Sequence, residues 1–195
     1  MTLLENPDVV AVPGRSRRPV VALVVAVLLV GAVAVGVVRF VHRSPSTPPY
    51  ADAAATGRIA LCTSDGAAVT SGSTTAPLAA VVRGHAAIPA GEGQTATLFA
   101  FQPRQGAESS EWSGLALSAA TLVHGEPTAR LTLGADTITL RQFLAGYPAT
   151  WDGWVQLRLL VGSTADGVGT ATYDALDLTI DGDRWRAVDP GSCAS

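Results

Sequence analysis

Residues 172–188 read Thr172-Tyr173-Asp174-Ala175-Leu176-Asp177-Leu178-Thr179-Ile180-Asp181-Gly182-Asp183-Arg184-Trp185-Arg186-Ala187-Val188. Leu176, Leu178 and Ile180 alternate with Asp177, Thr179 and Asp181, which is the period of a strand with one apolar and one polar face. Asp181-Gly182 interrupts the alternation before a second strand-like run, the short-range signature of a β-hairpin. A two-residue turn there pairs Ile180 with Asp183 and Leu178 with Trp185, laying Trp185 over the apolar face. The same reading makes Asp174, Asp177, Asp181 and Asp183 a solvated acidic face. It is not a calcium loop, because the D-x-D-x-D-G pattern is absent.

Working outward, the β signal continues. Val155, Leu157, Leu159 and Val161 share one parity, as do Ala129, Leu131 and Leu133. Strands are expected at 58–62, 67–70, 78–83, 95–102, 114–120, 128–133, 137–140, 154–161, 172–180 and 184–188. One short helix is expected from Leu140 to Ala145, where Thr139 and Gln142 form a capping box and Gly146 supplies a stop. Many short strands with Gly- and Pro-rich punctuation predict a mainly β fold, with an immunoglobulin-like β-sandwich as first choice. The Cys–Trp–Cys landmark of true immunoglobulin domains is missing.

If Val155, Leu157 and Leu159 face inward, then Trp154, Gln156 and Arg158 point the other way, beside a loop carrying Trp151. Aromatic residues together with arginine are enriched where proteins bind partners. Trp151, Trp154, Gln156 and Arg158 are therefore the candidate ligand- or partner-binding residues. The competing reading covers that face with the short helix, Phe143 and Tyr147 packing on the tryptophans.

Other constellations are weak. His124 and Glu126 before Pro127 read as a solvated loop pair, and His85 after Gly84 as a turn residue. Glu108, Glu111, Glu126 and Asp152 show no spacing that marks a catalytic carboxylate pair. There is no H-E-x-x-H, no G-x-S-x-G and no catalytic-cysteine signature. No catalytic residue, metal ligand or cofactor is assigned.

The two cysteines, Cys62 and Cys193, lie near the two ends of the β region. Paired, they staple its first strand to the C-terminal tail, as suits an oxidising compartment.

Lysine is absent and asparagine occurs once, at Asn6, a bias expected of a GC-rich bacterial genome such as that of an actinobacterium. Without lysine there is no Schiff-base chemistry and no P-loop lysine. The formal net charge of -3 and the lack of a basic cluster exclude a nucleic-acid partner.

Upstream, Val20 to Val38 is an unbroken apolar run, preceded by Arg15, Arg17 and Arg18 and followed by a Ser/Pro-rich stretch. As a helix it covers roughly 28 Å, close to the hydrocarbon core of a bilayer. The organisation expected from these features is a cytoplasmic tail (1–18), a single transmembrane signal anchor (19–41), a spacer (42–56) and an extracytoplasmic β-sandwich domain (57–195). The function expected is a non-catalytic, membrane-anchored binding or assembly module of the cell envelope, with other envelope proteins as partners. The alternative is a membrane-tethered hydrolase or carbohydrate-binding domain.

Overall fold

A computed structural model describes residues 47–195 apart from 91, 124–126, 170 and 195. The chain order is β1 (Ala55–Arg58), β2 (Ala60–Cys62), β3 (Ser71–Ser73), β4 (Val81–Ala87), β5 (Gln94–Gln102), a 3-10 turn (Ser109–Glu111), β6 (Ser113–Ala116), β7 (Thr121–Leu122), β8 (Thr128–Thr132), α1 (Leu140–Gly146), β9 (Trp154–Ser163), β10 (Gly167–Val168), β11 (Tyr173–Asp181) and β12 (Arg184–Val188). The fold is mainly β.

The larger sheet runs β3-β12-β11-β9-β5-β6, with β1, β7 and β10 pairing onto it, and the smaller runs β2-β4-β8. Neither closes into a barrel among the described residues. The inner faces share one core: Val82, Ala129 and Leu131 from the small sheet meet Leu98, Leu157, Leu159, Leu176 and Leu178 from the large one. Each such leucine contributes about 1.5–3 kcal/mol on burial, so the alternation in β9 and β11 is a direct image of the core.

The immunoglobulin-like expectation is corrected by the path of the chain. The run expected as one strand from Arg58 to Cys62 divides at Ile59. β1 lies parallel to β11, and β2, beyond it, lies antiparallel to β4 in the other sheet. The expected strand at 67–70 is reduced to a single bridge between Cys62 and Ala68. Thr137–Leu140 is not a strand either; Thr139 caps α1, with the capping box to Gln142 in place.

The β11–β12 hairpin turns one residue later than its sequence suggests. Ile180 pairs with Trp185 and Leu178 with Ala187, leaving Gly182 and Asp183 in the turn. Gly182 takes φ 59°, a conformation that favours glycine. Because the pairing slips by an even number of positions, Trp185 still faces the core, 2% exposed.

Cys62 and Cys193 form a disulfide. His85 is not a turn residue; it lies within β4. His124 and Glu126 lie outside the described residues.

The membrane anchor is also corrected. Among the described residues no helix is long and apolar enough to cross a membrane, and the run Val20–Val38 lies outside them. The α-helix described, α1, has seven residues and spans about 10 Å, a third of a bilayer core. The single-pass topology, the integral-membrane partner, the cytoplasmic–extracellular split and both membrane-tethered functions are withdrawn with it.

Candidate functional site

The outer face of the large sheet carries Phe101 from β5, Trp154, Gln156 and Arg158 from β9, and Tyr173, Asp177 and Thr179 from β11, each out of phase with the core residues of its strand. This face is covered, but not by α1: Leu140 and Phe143 of that helix belong to the core between the sheets. Its cover includes residues 47–54, a strap bringing Tyr50 and Asp52, and the loop 103–112, bringing Ser109 and Trp112. Part of the segment expected to be a spacer thus packs on the domain.

Arg158 sits at the centre, its side chain 5% exposed. Its Nε donates to Gln156 Oε1 at 2.7 Å and its Nη2 to the Ser109 carbonyl at 3.0 Å. Nη2 also lies 3.6 Å from Asp52 Oδ2. The guanidinium carbon stands 4.1 Å from the ring centroid of Phe101, 4.6 Å from that of Tyr173 and 5.1 Å from that of Trp112. A planar, weakly hydrated cation suits such a cage, and each ring contributes about 0.5–2 kcal/mol. Burial draws the Arg158 pKa down from the usual guanidinium value, opposed by its neighbours, Tyr173 and Asp52 first.

Two carboxylates complete the network. Asp52 accepts from the Tyr173 hydroxyl at 2.9 Å and from Ser109 Oγ at 2.9 Å. Asp177 accepts from the Tyr50 hydroxyl at 2.7 Å and from Gln156 Nε2 at 3.2 Å. Burial pushes the Asp177 carboxyl up from the usual carboxylate range, while the hydrogen bonds from Tyr50 and Gln156 pull it down. Asp177 and Thr179 are therefore not on a solvated face: the period of β11 gives their side of the sheet, Thr179 is buried, and the strap covers Asp177 through Tyr50.

Trp151 and Trp154 come together through the turn between them. Asp152 and Gly153 both have positive φ, 50° and 77°, and Trp154 N donates to the Trp151 carbonyl at 2.9 Å, the pattern of a type I′ turn. The Tyr50 ring meets Trp112, Trp151 and Trp154 at centroid distances of 4.8, 5.6 and 6.2 Å. All four sequence-selected residues thus lie in one neighbourhood, with Trp154, Gln156 and Arg158 buried and Trp151 half-buried. Tyr50, Asp52, Trp112, Tyr173 and Asp177 were the residues that sequence reasoning left out. Tyr50 and Asp52, an aromatic and an acid two residues apart just after Pro48-Pro49, were the available signal.

Beside the network opens a cleft of about 350 Å³. It forms where the edge partner of β11 changes from β1, which pairs with Tyr173–Ala175, to β12, which pairs from Asp177 onward. Arg58 and Asp189 close the notch at its rim by an ion pair, and Arg58 Nη1 also donates to the Asp189 carbonyl at 3.0 Å. Tyr50, Asp52, Gln156 and Asp177 line the cleft with them.

A second carboxyl is buried on the opposite face of β11. Asp174, 2% exposed, accepts from the backbone N–H groups of His85 and Ala86, tying the large sheet to β4. Gly57 and Gly84 flank it, and a Cβ at either would overlap the carboxyl group. Among the described residues no three His, Cys, Asp or Glu side chains gather as a metal site.

Compared with protein-family models, with curated proteins and with solved structures, the chain matches none.

Proposed function

We propose that this domain is a non-catalytic recognition module that takes a cationic group, an amine or a guanidinium, into the cleft beside the strap. Asp177, Asp52 and Gln156 supply the acceptors and Tyr50 a wall. The observation that carries this reading is the imbalance of the cleft: Asp52 and Asp177 share one buried cation, Arg158, while Arg58 is engaged by Asp189 at the rim. A half-buried carboxylate has lost part of its hydration, and an incoming ammonium restores a charge-assisted partner worth about 1.5–3 kcal/mol. Trp151, Trp154 and Arg158 act as positioning residues that hold Tyr50 and Asp52 in place. The carboxylates already accept hydrogen bonds from tyrosine, serine and glutamine, and both cysteines are committed to the disulfide, which favours binding over chemistry.

The test is calorimetric titration of the full chain with ethylamine and methylguanidinium, and with glucose as a neutral probe. Both cations are expected to bind saturably, and Asp177→Asn to weaken them roughly tenfold while the circular dichroism stays unchanged. Equal responses to the cations and to glucose, or an unaltered affinity in the variant, would overturn the reading.

A further inference from the structure

The outer face of the small sheet carries a cleft of quite different charge. It has a volume of about 310 Å³ and is lined by Arg83, Gly84 and His85 of β4, by Pro127, Thr128 and Arg130, and by Ser192 and Ala194 of the C-terminal tail. Arg83 and Arg130 are directly paired across the β4–β8 ladder, on the face opposite to Val82, Ala129 and Leu131. Like charges placed directly opposite on one sheet face repel and destabilise the pair. No carboxylate lines the cleft among its described residues. Asp174 lies behind β4, on the backbone N–H groups of His85 and Ala86.

Arg83 is held in place and Arg130 faces solvent. Arg83 is half-buried, and its Nη1 donates to the Cys193 carbonyl at 3.1 Å, leaving Nε and Nη2 with hydrogens to give. His85 Nδ1 lies 2.7 Å from the Arg58 carbonyl, which can only accept, so that nitrogen carries the proton. The disulfide fixes Cys193, and with it the wall that Ser192 and Ala194 provide.

We infer that this cleft binds a phosphate-like oxyanion, the free ion or a phosphomonoester on a larger molecule, between the guanidinium groups of Arg83 and Arg130. A tetrahedral dianion answers both arginines at once, and guanidinium groups match phosphate oxygens with paired N–H donors. The Arg83–Arg130 repulsion then becomes part of the site: the unliganded face stores it and the anion relieves it. The two clefts share no lining residue, and the hydrogen bond from His85 to the Arg58 carbonyl is the link between them.

The experiment is calorimetric titration of the full chain with inorganic phosphate and with glucose 6-phosphate, against sodium chloride of matched ionic strength. Saturable binding of a phosphate ligand, absent with chloride, is expected, and Arg130→Gln weakens it roughly tenfold. Arg141→Gln, an exposed arginine on α1, is expected to leave it unchanged. Tighter binding of glucose 6-phosphate identifies a phosphomonoester as the ligand class; equal binding identifies the free anion. Arg130 is exposed, so its variant folds, and its thermal unfolding should rise slightly as the repulsion is removed. Phosphate heats that match those of chloride, or an Arg130→Gln variant that binds as the parent does, would overturn the assignment.

Discussion

On its inner face the large sheet presents Leu98, Leu157 and Leu178 to the small sheet, and on its outer face it presents Phe101, Arg158 and Asp177 to a strap of chain. Both faces are covered, but by different physics. The inner face is held by apolar area, which is non-directional and tolerates small shifts. The outer face is held by a caged cation, two carboxylates and two tyrosine hydroxyls, each of which needs its partner at a set distance. A buried ion pair adds little net stability over an apolar replacement, yet breaking it leaves an uncompensated charge. The inner face therefore supplies stability, and the outer face specifies where the strap lies.

The sharpest way to break this contrast is Arg158→Ala. It leaves Asp52 without its cation, and the expected cost is about 3–5 kcal/mol in urea unfolding at neutral pH. The double change Arg158→Met with Asp52→Asn should recover most of that loss, because the charge is removed together with its need for a partner. A cost below about 1 kcal/mol for Arg158→Ala would place the pair among weak surface contacts and end the comparison.

Leu178→Ala tests the other face. A cavity in the core should cost about 3 kcal/mol, with no dependence on salt or on any partner variant. Coupling between Leu178→Ala and Arg158→Ala of more than about 0.5 kcal/mol would mean that the faces are not independent.

The smallest effect separates the faces by pH. Burial pushes the Tyr173 hydroxyl up to about 12, and burial together with the Asp177 charge pushes Tyr50 up as well. The folded state keeps phenol protons that the unfolded chain releases near its ordinary value of about 10. Their contribution is complete below that value and is lost as pH rises from there through about 12. Phenolate absorbance from Tyr50 and Tyr173 should thus appear together with loss of the strap, and Leu178→Ala should leave the shape of that profile unaltered. Ordinary titration of both tyrosines in the folded protein would contradict the buried network.

The two faces also differed in how far the sequence disclosed them. Alternation in β9 and β11 reports the inner face directly, since Leu157, Leu159, Leu176 and Leu178 all meet one apolar surface. It assigns Trp154, Gln156, Arg158 and Asp177 to the other side just as surely, but period alone does not say what lies above them. The strap that covers them is remote in sequence and carries two buried polar groups in a Pro-rich stretch whose composition reads as a spacer. Local chemistry was legible where it was self-contained, as in the Thr139–Gln142 capping box and the Cys62–Cys193 pair. The hairpin turn slipped because Asp181-Gly182 and Gly182-Asp183 are both acceptable turn dipeptides, and both registers keep Trp185 on the apolar face.

The disulfide joins positions 131 residues apart, and this gives the domain a mechanical character. Tension applied between the strap end and the C-terminus travels through β1 and β2 to Cys62, crosses to Cys193 and leaves by Ala194. The covalent path bypasses the strands from β3 to β12, which are loaded only through the pairing of β1 with β11 and of β2 with β4. The first structure to meet the load is the strap, whose grip rests on Tyr50 and Asp52. Pulling therefore strips that segment and bares Arg158 while the core between the sheets stays closed, so the strap serves as the fuse of a covalently locked domain.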